Sequence, residues 1–75
     1  MMIGTQMYEI RVYGRVPETW QDVFADMQMR VVEDASGPVT VLRGSLPDQA
    51  ALHGVLQNLY DLGLGLIKVG VVGEN

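Results

Sequence analysis

The 75-residue chain has no cysteine, a single histidine, and no apolar run of the length that crosses a bilayer. Lack of cysteine excludes disulfides and thiolate metal sites together. One histidine among scattered carboxylates offers no structural zinc set, so no metal and no cofactor is expected. A membrane span takes about 20 consecutive apolar residues. Aromatics are scarce too, with one Trp, one Phe and three Tyr. Only five basic residues stand against nine acidic ones, for a formal net charge of −4. That balance opposes the phosphate neutralisation on which nucleic-acid affinity rests. The opening "MMIGTQMYEI" shows neither the basic region nor the apolar stretch of a secretory signal. The expectation is a soluble, cytoplasmic protein that binds neither membrane nor nucleic acid.

What is present is enough for one domain, residues 1–75, with an ordered core over 7–72. A chain this short buries roughly 60–65% of its unfolded surface. Small domains without disulfides or metals commonly lean on self-association, so a homodimer is expected.

The pattern along the chain divides into six elements. Tyr8–Val16 alternates as a strand, with Tyr8, Ile10, Val12 and Val16 on one face and Glu9, Arg11, Tyr13 and Arg15 on the other. Pro17 and Glu18 read as a helix start, and Trp20, Val23, Phe24 and Met27 follow at helical spacing. "MQMRVVED" resumes alternation, "DASGP" is a turn, and "VTVLRG" completes a hairpin. In that last strand either Val39 and Val41 or Thr40 and Leu42 could face the core. Asp48 is placed to cap a second helix with the stripe Leu52, Val55, Leu56 and Leu59. Gly63 is its expected left-handed stop, with Leu64 folding back in a Schellman arrangement. "LIKVGVV" is the fourth strand, with Ile67, Val69 and Val71 on one face.

The order β-α-β-β-α-β predicts an α+β, ferredoxin-like sandwich, with two helices on one face of a four-stranded antiparallel sheet. Its strands should run 4-1-3-2, with the first and third central. The expected core is Trp20, Phe24, Leu52, Leu56 and Leu59 between the helices and the sheet.

Catalytic machinery is not visible. His53 falls outside the apolar stripe, beside Gln57 and Tyr60, and has no partner to tune it as a base. Gly54, in mid-helix, reads as a point of close packing. The glycines of "GLGLIKVGVVG" follow a helix and run through a strand, the reverse of a dinucleotide fingerprint. Gly65 and Gly70 read as bulges or close backbone contacts.

The charge map remains. All five basic residues fall on expected strands, and five of the nine acids fall on expected helices. Arg11, Arg15, Arg30 and Lys68 should share the open sheet face with Tyr13, forming a surface for an acidic protein partner or a second protomer. RNA-recognition domains use the same face, but "VTVLRG" lacks the aromatic stacking platform they need.

"VYGRV" resembles the start of the phosphate loop of acylphosphatases, which share the expected fold. That family continues to a catalytic arginine and an asparagine on the next strand. Here "PETWQD" and "MQMRVV" supply neither, so the resemblance carries no activity. "LPDQAALHG" and the strand after it resemble the C-terminal half of short bacterial proteins of uncharacterised function, which implies a small soluble α+β protein and no site. The expected layout also resembles ACT regulatory modules, in fold alone. The reading is a non-catalytic accessory or regulatory interaction module, homodimeric and using the open sheet face. The alternatives are a dimeric, ACT-like small-molecule-binding module and a small dimeric α+β-barrel enzyme.

Overall fold

The computed structural model describes residues 5–24 and 26–72. Strands β1 (Gln6–Tyr13), β2 (Met27–Asp34), β3 (Gly37–Leu46) and β4 (Leu66–Val71) form one antiparallel sheet. Their order is β2-β3-β1-β4, with β1 and β3 central as expected. Among the described residues there is a single α-helix, α1 (Gln49–Asp61), between β3 and β4.

The ferredoxin-like β-α-β-β-α-β sandwich is therefore not formed. Its first helix is replaced by a 3-10 turn at Glu18–Trp20 and a string of tight turns. The bonds Trp20 N–H to Pro17, Gln21 to Glu18 and Val23 to Trp20 all close over three residues. The cause is local. Pro17 offers no capping side chain and makes no cap bond, and Thr, Trp, Asp, Val and Phe are all middling or poor helix formers. The segment is also shorter than the roughly 12–15 residues at which a helix begins to hold by itself. Its apolar spacing serves another end. Trp20 stacks on Phe24 at 6.3 Å between centroids, Phe24 is buried, and Met27 already belongs to β2. Val23 is left 49% exposed, so no continuous stripe exists. The likeness to ACT modules, being one of layout, lapses with the helix.

α1 forms where both ends are fixed. The Asp48 carboxylate accepts from the Ala51 N–H at 2.9 Å. At the other end Gly63 has φ +80, its N–H reaches the Tyr60 carbonyl at 2.9 Å, and the Leu64 N–H reaches that of Leu59 at 3.5 Å. This is the Schellman pattern. Leu52 and Leu59 sink into a core with Ile10, Val12, Phe24, Met27, Leu42 and Leu46, whereas Trp20 and Leu56 pack only partly against it.

α1 lies over the central strands: its backbone comes near β3, and the Gln49 side chain reaches the Tyr8 hydroxyl of β1 at 3.4 Å. The expected face Ile67, Val69 and Val71 is broken by a bulge that sets Leu66, not Ile67, opposite Val12. The helix side of β4 stays open, leaving Leu66, Val69 and Val71 between 38% and 55% exposed. The ambiguity in β3 resolves in both directions. Leu42 and Thr40 pair with Ile10 and Val12 on the helix side. Val39 and Val41 face the open side and are still only 3% and 1% exposed.

Candidate functional site: the open sheet face and the α1–β4 groove

On the open face, strand pairing arranges the side chains in transverse rows. Arg30 pairs with Val41, Val41 with Arg11, and Arg11 with Lys68. Three cations thus cross the sheet in one line. Gln28, Arg43, Glu9 and Gly70 make the next row. Val32, Val39 and Tyr13 make the third. Val41, only 1% exposed, is flanked on both sides by the long basic stems of Arg11 and Arg30, which can cover apolar surface. Tyr13, 53% exposed, has its ring against Gly65, where an added Cβ would sit 3.2 Å from the ring. Gly65 is the close contact expected of it. Gly54 and Gly70 have open space where a Cβ would lie, so neither marks close packing.

Glu9 sits among the cations. Its carboxylate accepts from Arg11 Nε at 2.8 Å and lies 3.5 Å from Arg43 Nε. The Arg11 hydrogen bond holds its pKa below the ordinary value; partial burial opposes this, and the nearby charges of Arg11, Arg43 and Lys68 add to it. The sequence had already placed Glu9 on this side. Its contact with Arg11 is made along β1, between residues two apart, and only the membership of Arg43 comes from cross-strand register.

Of the expected face residues, Arg11, Tyr13, Arg30 and Lys68 are brought together. Arg15 is not. β1 ends at Tyr13, and Gly14 turns the chain with φ +93. Arg15 then pairs with Glu33 at 2.8 Å. Glu33 alternates with Val32 and so belongs to the helix side of β2. Both members of this pair are well exposed, and such pairs contribute little to stability.

A second concavity lies on the opposite layer. A groove of about 500 Å³ between α1 and the start of β4 is lined by Val12, Leu56, Leu59, Leu64 and Leu66, with His53, Gln57 and Tyr60 along one wall. The sequence placed those three polar residues on one side of the helix, but only the fold turns that side toward a cavity. Gln57 donates to Asp61 at 3.0 Å, and Tyr60 is 77% exposed. No three His, Cys, Asp or Glu side chains come together as a metal set among the described residues. No helix among them is long and apolar enough to cross a membrane.

The model of the domain of unknown function DUF8691 matches residues 7–70. The chain belongs to that family. The match runs from β1 into β4 and takes in both the face and the groove of this DUF8691 domain. No curated protein and no solved structure matches it.

Proposed function

We propose that this DUF8691 domain is a non-catalytic interaction module, a cytoplasmic homodimer whose open sheet face receives an acidic segment of a partner protein. One observation carries the reading. Arg30, Arg11 and Lys68 form a row with Arg43 beside it, on a chain of net charge −4. Glu9 offsets one of these charges and leaves the face cationic. Segregation of this kind steers carboxylates to one layer. Tyr13 adds an exposed ring at one end of the face, the sort of amphipathic contact enriched at interfaces.

The test is a fluorescein-labelled Asp/Glu-rich decapeptide titrated by anisotropy at low and high salt. Wild type should bind, more weakly as salt rises. Arg11→Glu with Arg30→Glu should remove binding while circular dichroism stays unchanged. Equal binding by the double variant, or none by wild type, refutes the reading.

The groove supports a second one, a small ligand with an apolar body and a polar end. Its volume of about 500 Å³ lies within the roughly 300–1,000 Å³ of small-molecule sites. A compound retained through native purification and displaced in Leu56→Trp would favour it. An empty protein by native mass spectrometry would count against it.

A further inference from the structure

We propose that a second copy of this chain adds along the free edge of β4, making a two-fold dimer with a continuous antiparallel sheet. The inference rests on the homodimer in the reading above and identifies the surface that makes it.

Among the described residues nothing pairs with the outer edge of β4. The strand "LIKVGV" has no proline and a single charge, Lys68, and its bulge lies at its start, at Ile67, so residues 69–71 keep a regular, lightly protected edge. Leu66, Ile67, Val69 and Val71 are all 38–55% exposed. Together with the groove wall beside them they make an exposed apolar surface of the kind that marks an interaction site. The other edge is built differently. β2 carries Arg30, Glu33 and Asp34, charges that discourage strand addition.

The backbone is ready for the addition. The Val72 N–H bonds inward to the Met7 carbonyl at 2.7 Å, and Tyr8 pairs with Val71. By the alternation of an antiparallel ladder, the N–H and C=O groups of Val69 and Val71 therefore point to the free edge.

Charge selects the register. A two-fold centred on Lys68 would set two lysines face to face, which is unfavourable. Centred on Val69, the pairing joins Val69 to its own copy and Ile67 to the partner's Val71. Lys68 then lies opposite the partner's Gly70, whose Cβ position is open space. In the partner Gly70 pairs in turn with Glu9, as it does here. Lys68 and the partner's Glu9 are thus in line, two strand spacings or about 9.5 Å apart at Cα. Their side chains close that span over a residue with no side chain. The contact occurs twice in the dimer.

Cysteine scanning tests this directly, because the chain has no cysteine of its own. Opposed Val69 positions would lie about 5.5 Å apart at Cα, within the range of a disulfide. Opposed Val71 positions would be offset by four residues, about 13 Å. Under mild oxidation Val69→Cys should form a covalent dimer at least tenfold faster than Val71→Cys, with circular dichroism confirming that both fold. In sedimentation equilibrium Val69→Lys should raise the dimer dissociation constant at least tenfold, and Lys68→Glu should raise it severalfold. A wild-type dimer whose Val69→Cys links no faster than Val71→Cys overturns the β4 interface and leaves the homodimer standing. A wild-type monomer at all concentrations overturns both, without touching the acidic-peptide result.

Discussion

The Thr40 hydroxyl donates to the Gly14 carbonyl at 2.7 Å and accepts from the Val16 N–H at 3.0 Å. Thr40 is fully buried, so one side chain of β3 satisfies two backbone groups of the bend that leaves β1. The bend takes Arg15 off the open face and returns Val16 to the core, where it is only 4% exposed. Thr40→Val keeps the shape and removes both bonds. It should cost about 1–3 kcal/mol for each group left unsatisfied. Thr40→Ser should recover most of that loss. Urea midpoints for the two variants check the expectation, and a Thr40→Val midpoint equal to wild type would deny the bend its latch.

Gly44 has no freedom to accept a side chain. A Cβ there would meet the Asp26 carbonyl oxygen and lie 2.7 Å from the Met27 Cα. These are backbone atoms and cannot swing aside. Gly44→Ala should destabilise by about 1–3 kcal/mol, the usual cost of overpacking, whereas Gly54→Ala, in open space on α1, should stabilise by up to about 1 kcal/mol. Thermal melts of the pair should shift in opposite directions. A shared sign would show that the β2–β3 approach is looser than described.

Leu59 and Leu56 should separate cleanly. Leu59 is 2% exposed, and Leu56 is half-buried at the groove. Leu59→Ala should cost about 2–5 kcal/mol, and Leu56→Ala clearly less. Equal losses would place both residues in the core. His53→Ala, on the exposed side of α1, should change stability by less than about 0.5 kcal/mol. Equilibrium denaturation measures all three.

Acid should weaken the sheet through Glu9. Its folded pKa lies below the ordinary value of 4.5, chiefly through the Arg11 hydrogen bond. A depressed carboxylate pKa contributes stability that is present above the unfolded value and lost as pH falls through the folded one. Asp34, depressed by its bonds from the Ser36 backbone and hydroxyl, has the same sign. Glu9→Gln should therefore flatten part of the stability loss below about pH 4.5. Thermal midpoints collected from neutral to acid pH read this out. An unchanged acid limb would mean that the Glu9 ion pairs are too well solvated to matter.

Sequence and structure agree most closely where the signals are carried by neighbours in the chain. The Asp48 cap, the Gly63 stop and the Leu64 fold-back are each written within one helical turn, and each is found. The alternation that marks β1 and β2 is equally local, and the strand order is the expected one although the first helix is missing. The first helix failed because its apolar spacing was real while its backbone preference was weak. Spacing alone cannot tell a helix from a run of turns anchored by Trp20 and Phe24.

The sequence by itself determined the absence of cysteine, the ends of α1, the inward face of β1, and a sheet face bearing Arg11, Tyr13, Arg30 and Lys68. Tertiary structure alone decided the rest. Cross-strand register set Arg43 beside Glu9 and aligned Arg30, Arg11 and Lys68 in one row. The Thr40 latch diverted Arg15. The seat of α1 over the sheet centre left β4 exposed and opened the groove beside His53. The physical reason is range. Caps and periodicity act between residues a few positions apart, whereas register, burial and charge pairing join residues that meet only when distant strands do.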